Sequence, residues 1–247
     1  MSTKQTTKKT GRKLATSLGQ REHALHRPDM YIGNVNTTTE TMWVCNGVDV
    51  LSIVEQPVEY NDGLMRIVME VLSNAIDNRH SDGPTMKEIR LSISEEPGEV
   101  VVWNDGASIP IETTETDDGV EMLNPQMIFS HFRSGTNYDD DVARKTSGRN
   151  GMGVKLTNIF STEFGVVCRD PATKSEFTME WSNNMSSATI PRVTKCTAKN
   201  GFTQVRFVPD FARFGMAGWT ADMIRVIKKY MVDIAMMTRI RVKYNDM

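Results

Sequence analysis

The run VMEVLSNAIDNR, residues 68–79, is the segment that most constrains what this chain can fold into. Glu70, Asn74 and Asp77 are four and three positions apart, so on an α-helix, at ~100° per residue, they point within roughly 60° of one another. Asn78 lies beside the same stripe. The apolar face of such a helix comes from the residues between them: Val71, Leu72, Ala75 and Ile76. The spacing predicts an amphipathic helix that presents acid, amide and acid along one line.

This stripe has two interpretations. Acid and amide residues at helical spacing usually form the solvated face of an amphipathic helix. Alternatively, the stripe presents a base and a metal ligand to a polyanion. In that case Glu70 could polarise a water molecule, Asn74 could give its side-chain oxygen to Mg²⁺, and Asp77 could accept a hydrogen bond from a ligand amine.

The composition describes an ordinary globular protein. A chain of 247 residues with 39% hydrophobic residues, 24% charged residues and a net charge of -2 can bury a core but lacks the basic surplus needed to grip nucleic acid unaided. The exception is residues 1–13, which carry five basic residues and no acid, and which we expect to form a disordered basic tail. Three widely spaced cysteines indicate neither a disulfide framework nor a zinc site. No apolar run has the length of a membrane span.

The remaining pattern predicts strand pairs with helices between them. EIRLSIS (88–94) and EVVVWN (99–104) flank a Glu-Pro-Gly turn and indicate a hairpin. The helix with the acidic stripe should begin near Asn61 or Asp62. Further helices are predicted from Asn124 to Phe132, over VKLTNIF and after the cap Thr220, and further strands near 163–169, 175–181, 202–208 and over RIRVKY. Without strict β-α-β alternation, these elements predict an α/β (α+β) sandwich with a mostly antiparallel mixed sheet and helices on one face.

Two further segments carry candidate binding groups. Asn104 leaves a strand just before Asp105-Gly106, where the glycine would let a flat heterocycle approach the backbone, although a simple turn explains the same residues. GRNGMGVK, residues 148–155, ends a long aperiodic stretch (133–153) and enters a helix. Its glycines would let backbone amides curve round phosphate oxygens, with Arg149 and Lys155 adding charge. It is not a Walker A motif, and a structural glycine turn is the alternative.

The order of these three segments resembles the Bergerat ATP-binding fold of gyrase, the ninety-kilodalton heat-shock chaperone, histidine kinases and MutL. The resemblance is closer to the ATPase domain of eukaryotic-type type IIA DNA topoisomerases. It is carried by EHALHRPDMYIGNV (22–35), the NAIDN helix, VVWNDG with SIPI, SGTNYDDD (134–141) and SGRNGMGVKLTNIFSTEF (147–164). It covers the chain from about Leu14 to its end.

The resemblance implies a role for each matching residue. Glu70 matches the catalytic general base, and Asn74 matches the Mg²⁺ ligand. Asp77 and Asn78 match nucleotide-contacting positions, and Asn104 matches the adenine contact. Ribose and phosphate contacts are implied for Gly135, Thr136, Asn137, Gly148, Arg149, Asn150, Gly151, Met152, Gly153 and Lys155. Ser108 departs from the family, which usually has glycine there, and Leu14-Ala15-Thr16 stands where relatives have a tyrosine in the N-terminal arm.

The resemblance also implies a function. Residues 14–247 would be an ATPase domain with an N-terminal arm (14–36), and the transducer and DNA-cleavage domains would lie outside this chain. Mg-ATP would drive homodimerisation through the N-terminal gate and so couple hydrolysis to DNA strand passage in the full enzyme, in the nucleus, another intracellular replication compartment or a viral factory. No membrane partner is expected. The alternatives are a nucleotide-controlled interaction module without significant catalysis and another ATPase of the same fold.

Overall fold

A computed structural model describes residues 18–47, 50–82, 85–116, 119–131 and 152–245. The helices are α1 (Gln20–His26), α2 (Asp62–Asp82), α3 (Asn124–Ser130), α4 (Gly153–Ile159) and α5 (Ala221–Thr238). The strands are β1 (Thr38–Asn46), β2 (Ser52–Tyr60), β3 (Glu88–Ile93), β4 (Val100–Asn104), β5 (Thr113–Glu115), β6 (Glu121–Leu123), β7 (Ser161–Asp170), β8 (Ser175–Ser182), β9 (Ser187–Ala188), β10 (Arg192–Lys195), β11 (Phe202–Pro209) and β12 (Arg241–Tyr244). The predicted basic tail, residues 1–13, lies outside the described residues.

One large sheet forms the body of the protein. Its strands lie in the order β10-β8-β7-β11-β4-β3-β12, with β9 added beside β8. Every pairing in this sheet is antiparallel except that of β12 with β3, which is parallel. The predicted mostly antiparallel mixed sheet is therefore confirmed. The hairpin predicted for 88–94 and 99–104 is present as β3 and β4, with Ile89 opposite Asn104.

The two faces of the sheet have different surroundings. Alternate side chains of its strands join α2, α4 and α5 in one hydrophobic core; fully buried members from the sheet include Ile89, Val100, Cys168, Phe177 and Phe207. The positions between them carry charged groups, and Arg206 makes ion pairs with Glu99, Glu163 and Glu180 at 2.7–3.3 Å. This alternation agrees with helices packed on one face and solvent on the other.

Sequence reasoning missed the hairpin of β1 and β2, which forms a separate two-stranded sheet with Thr38 opposite Tyr60 and Asn46 opposite Ser52. Its inner face packs against α5. Two smaller details also differ from expectation. The predicted helix from Asn124 to Phe132 ends at Ser130. The last strand begins at Arg241 rather than Arg239, because Arg239 has a positive φ of 55° and closes α5.

Both long helices begin at the predicted caps. Thr220 accepts a hydrogen bond from the backbone of Met223 at the start of α5. Asn61, which is fully buried, accepts one from the backbone of Leu64 at 3.0 Å at the start of α2. Its amide nitrogen donates to the carbonyl oxygens of Val35 (2.8 Å) and Phe214 (3.1 Å). A single side chain thus joins α2 to two distant segments.

Hydrogen bonds anchor the helix α4 at its carboxyl end and along its length. At its carboxyl end, the side chain of Asn184 donates to the carbonyl oxygen of Ile159 at 3.0 Å and to Asp210 at 3.0 Å. Along its length, the hydroxyl of Thr157 donates to the carbonyl oxygen of Ile67 in α2 at 2.8 Å, in a fully buried position. These bonds fix where the amino end of α4 lies relative to α2. Within the described ranges, no helix is both long and apolar enough to cross a membrane.

Replacing Asn61 with alanine should destabilise the protein by about 2–4 kcal/mol, because the helix loses its cap and two carbonyl groups, one buried and one partly buried, lose their donor. Chemical denaturation measures this change in the free energy of unfolding. Asn34→Ala is the matched control, because Asn34 is exposed and its side chain accepts only from the nearby backbone of Asn36. Equal stability losses in the two variants would contradict the role given to Asn61.

Candidate functional site

The four polar residues of the stripe lie on α2 as predicted, with Val71, Leu72 and Ala75 buried behind them. Asn74 is exposed, whereas Glu70, Asp77 and Asn78 are partly buried. The stripe is therefore not a uniformly solvated helix face. Each of its ends contacts another element.

At one end of the stripe, Glu70 lies against the first residue of α4. A Cβ atom built on Gly153 would stand 2.7 Å from the carboxyl carbon of Glu70 and would overlap one of its oxygens. The other carboxylate oxygen of Glu70 accepts from Nε of Arg66 at 2.6 Å. Glu70 is thus held between a cation on its own helix and the amino end of α4. Any other residue at position 153 would force this carboxylate to move from its position.

At the other end of the stripe, Asn78 contacts the segment that leaves β4. Its amide nitrogen donates to Oδ1 of Asn104 at 2.8 Å and to the carbonyl oxygen of Ala107 at 3.1 Å. The backbone nitrogen of Gly106 donates to the same Oδ1 at 3.3 Å. A Cβ on Gly106 would stand 2.8 Å from the amide nitrogen of Asn78, so glycine is required for this approach.

Glu70 and Asn78 are eight positions apart in sequence, which corresponds to a rise of about 12 Å along the helix axis. This length is comparable with that of an extended nucleoside triphosphate. The end near Glu70 adjoins a helix amino terminus, where backbone N–H groups favour an anion. The end near Asn104 offers uncharged amide groups. The arrangement suits a ligand with a polyanionic end and a neutral, hydrogen-bonding end.

Lys155 lies on α4 two residues after Gly153, and only 1% of its surface is exposed. Burial lowers the pKa of its ammonium group to about 7, because removal from water disfavours the charged form. A phosphate group beside it would favour that charged form again. Met152, which immediately precedes α4, is partly buried.

The other predicted contacts lie outside the described residues; they are Gly135, Thr136, Asn137, Gly148, Arg149, Asn150 and Gly151. Among the residues that the structure describes, no cluster of three or more His, Cys, Asp or Glu side chains could hold a metal ion.

The departure at Ser108 is accommodated by a glycine that immediately precedes a neighbouring strand. A Cβ built on Gly201, just before β11, would overlap the Ser108 hydroxyl and stand 3.0 Å from the carbonyl oxygen of Arg169. The added side chain at position 108 thus occupies space that Gly201 leaves empty. Sequence reasoning missed this pair because nothing links positions 108 and 201 in the sequence.

Sequence reasoning also missed Arg66. It lies four residues before Glu70, a spacing at which basic and acidic side chains meet on a helix, so the pattern could have revealed it. The part played by Asn78 in holding Asn104 could not be read from the sequence, because it depends on how α2 packs against the loop after β4.

Comparisons with known proteins agree with this geometry. Residues 59–207 match the family described as histidine kinase-, DNA gyrase B-, and HSP90-like ATPases. The chain is 39% identical to a DNA topoisomerase 2 of Invertebrate iridescent virus 6 (95% of this chain, 22% of that protein). It is 38% identical to a DNA topoisomerase 2 of Penicillium chrysogenum (92% and 14%).

Solved structures give the same result. The ATPase region of Saccharomyces cerevisiae topoisomerase II superposes with a TM-score of 0.88 at 38% identity, over 94% of this chain and 61% of that one. The ATPase and transducer domains of Balamuthia mandrillaris topoisomerase II superpose with a TM-score of 0.88 at 35% identity, over 96% and 61%. The chain spans less than a quarter of the two topoisomerases described above. The family match covers more than half of the chain, which therefore belongs to the histidine kinase-, DNA gyrase B- and HSP90-like ATPases.

Proposed function

We propose that this chain is the ATP-binding and ATP-hydrolysing region of a type II DNA topoisomerase. The observation that carries the proposal is the contact between Glu70 and Gly153, which brings a carboxylate to the amino end of a helix in a family of ATPases. The other end of the stripe, where Asn78 meets Asn104, lies about 12 Å away along α2. A nucleotide lying along α2 would place its triphosphate at the first contact and its base at the second.

Each residue then has a defined task. Glu70 orients the attacking water and accepts its proton. Lys155 and the amino end of α4 favour the negative charge of the phosphates, with Arg149, Asn150 and Gly151 of the glycine-rich segment completing the cradle. Gly135, Thr136 and Asn137 contact the ribose and phosphates. Asn104 recognises the base, and Asp77 contacts the nucleotide beside it.

Magnesium fits this donor set. Mg²⁺ retains several waters and usually takes one or two protein oxygens together with phosphate oxygens. The exposed side chain of Asn74, one helical turn from Glu70, supplies one neutral oxygen. The absence of a carboxylate cluster among the described residues agrees with a cation carried mainly by the nucleotide. When bound, the ion would neutralise charge on the phosphate oxygens.

The wider function is proposed from the relatives. Their names describe DNA topoisomerases, so we infer that the whole protein dimerises through its N-terminal gate on binding ATP and passes one DNA segment through another. Its compartment would be one where DNA is replicated, the nucleus or a viral factory. DNA-stimulated ATP hydrolysis and relaxation of supercoiled DNA by the whole protein would test this. A protein that does neither would belong elsewhere in the family.

One observation favours the second candidate, a nucleotide-controlled interaction module without significant catalysis. Glu70 is paired with Arg66 at 2.6 Å, and a carboxylate oxygen that accepts from an arginine is occupied by that contact and does not orient a water molecule. If the ion pair of Glu70 with Arg66 persists when ATP is bound, ATP would change the conformation of the protein without being hydrolysed. The behaviour of a Glu70 variant separates the two candidates.

Glu70→Gln should reduce ATP turnover by roughly 10²–10⁴-fold while leaving binding of a non-hydrolysable ATP analogue close to that of the unsubstituted chain. Phosphate release measures turnover, and calorimetry measures binding. Repeating the calorimetry in EDTA also tests the Mg²⁺ assignment. The control is Glu95→Gln, which removes the same charge from an exposed site. Undiminished turnover in Glu70→Gln would remove this residue from catalysis.

Gly153→Ala should lower turnover by about 10²-fold, because the added methyl group displaces the Glu70 carboxylate from its position. Alanine is a better helix former than glycine, so the helix itself should not suffer. Gly218→Ala is the matched control, since a Cβ there meets no atom within 4 Å. Equal turnover in both variants would show that the close contact with Glu70 has no catalytic importance.

Binding of Mg-ATP at pH 8 should take up a proton. Lys155, with its pKa lowered to about 7, is mostly neutral at that pH in the free protein, and nearby phosphates raise its pKa again. The uptake should approach one proton at pH 8 and vanish near pH 6, where Lys155 is already charged. Calorimetry in buffers of different ionisation enthalpy measures it. Lys155→Met should abolish the uptake; an unchanged uptake would assign it to another group.

A further inference from the structure

The loop between β8 and β9 has an unusual backbone. Its first three residues, Asn183, Asn184 and Met185, have positive φ angles of 52°, 56° and 62°. In this left-handed region the Cβ atom crowds the backbone; asparagine tolerates it better than most residues, but successive left-handed residues are uncommon. Such a backbone persists only where the surrounding structure holds it. The contacts that hold this loop therefore indicate its role.

Hydrogen bonds connect the loop to the carboxyl end of α4. The N–H of Asn183 donates to the carbonyl oxygen of Thr162 at 2.9 Å, and the N–H of Asn184 donates to that of Ser161 at 3.0 Å. The side-chain nitrogen of Asn184 donates to the carbonyl oxygen of Ile159, the last residue of α4, at 3.0 Å. The final carbonyl groups of a helix have no partner within the helix. Asn184 thus supplies from outside the donor that Ile159 needs.

Arg21 of α1 also holds the loop. Its Nε donates to the carbonyl oxygen of Asn184 at 2.5 Å, and its Nη2 donates to that of Asn183 at 3.3 Å. One guanidinium group, with its fixed fork of donors, therefore joins two successive carbonyl groups. Asp210 accepts from the side-chain nitrogen of Asn184 at 3.0 Å. Asn184 is thus held through both its backbone and its side chain.

Two fixed points set the direction of α4. The bond from Thr157 to the carbonyl oxygen of Ile67 holds the helix at one point, and a helix held at one point can still tilt about it. The bond from Asn184 to Ile159 holds its carboxyl end. Because α4 has only seven residues, a length of about 10 Å, it moves as a unit. Loss of the second fixed point would therefore shift its amino end, which contacts the Glu70 carboxylate.

We propose that Asn184 is a positioning residue for ATP hydrolysis, which acts through α4 on the contact between Gly153 and Glu70, and that Arg21 holds the loop that carries it. This inference rests on the proposed function. It adds two residues that lie outside the polar stripe and the glycine-rich segment. The rate of hydrolysis then depends on how α1 and the β8–β9 loop pack at the opposite end of α4.

Asn184→Gly is the first test, with Asn183→Gly as its matched control. Glycine adopts the left-handed conformation without strain, so both variants keep the backbone of the loop, but only the first loses the donor to Ile159. Asn184→Gly should lower ATP turnover about tenfold, because the Glu70 carboxylate loses its alignment with α4. Asn183→Gly, which removes an exposed side chain, should leave turnover unchanged. Equal turnover in the two variants would overturn the inference.

A double-mutant cycle separates positioning from any other route to lost activity. Gly153→Ala already displaces the Glu70 carboxylate, so adding Asn184→Gly to it should lower turnover by less than about twofold further. A loss by a route independent of that contact would appear in full in both backgrounds. Phosphate release measures turnover, at a temperature where circular dichroism shows every variant to be folded. A full loss in both backgrounds would contradict the role given to Asn184.

Arg21→Gln tests the same route by a milder change. It should lower turnover about threefold, because the loop loses one group of hydrogen bonds and keeps the others, and the loss should disappear in the Gly153→Ala background. Arg192→Gln is the control, since it removes the same charge from an exposed position on β10. Equal turnover in the Arg21 and Arg192 variants would remove Arg21 from the proposed route.

The unsubstituted protein distinguishes failure of this inference from failure of the proposed function. A protein that does not hydrolyse ATP would overturn the proposed function, and this inference with it. Normal hydrolysis, together with equal turnover in the two glycine variants of the loop, would overturn this inference alone.

Discussion

The close approach of α2 and α4 is the constraint on which the site depends. Two contacts one turn apart set it: Thr157 donates to the carbonyl oxygen of Ile67, and Gly153 lies against Glu70. Because α4 runs back along α2, these contacts fix both the register and the separation of the helices. A side chain at position 153 or the loss of the Thr157 hydroxyl would change the distance between the carboxylate and the amino end of α4. The geometry of the proposed site is thus a product of helix packing.

That packing also explains the unusual state of Lys155. Because α4 lies deep against α2 and the sheet, its third residue is buried, and burial lowers the pKa of the ammonium group to about 7. A charge in this position costs stability in the free protein. In the proposed function a bound phosphate would favour the charged form, so part of its binding free energy would restore the charge on this lysine. At position 155, therefore, the buried charge that favours anion binding lowers the stability of the free protein.

Local sequence signals gave the elements but not their relations in space. The β3–β4 hairpin, the caps at Asn61 and Thr220, and the polar stripe of α2 were all predicted, since each depends on neighbouring residues. The β1–β2 hairpin was missed. Its second strand contains Pro57, which argues against an interior strand, and its polar residues lack strict alternation with apolar ones. The parallel pairing of β12 with β3 joins segments about 150 residues apart, which no local pattern encodes.

The same limit applies to the site. Glu70, Asn74 and Asp77 could be recognised by their spacing, but the need for glycine at 153, 106 and 201 appears only when each meets a side chain from another element. The physical reason is that the absence of a Cβ matters only where an atom of another residue occupies the space that the Cβ would take. Each of these glycines admits a polar group: a carboxylate, an amide and a hydroxyl, respectively.

The two ends of the polar stripe on α2 offer different chemistry, which suits different parts of the proposed ligand. Near Glu70 the groups are charged and lie at a helix terminus, where a buried cation and backbone N–H groups act over several ångströms. Near Asn78 they are neutral amides whose value depends on contact and direction, because hydrogen bonds weaken steeply with misalignment. Phosphates need charge but tolerate small shifts, whereas a base edge needs alignment. The orientation of one amide, set by backbone groups that cannot rotate, therefore suits the end of the site where direction matters most.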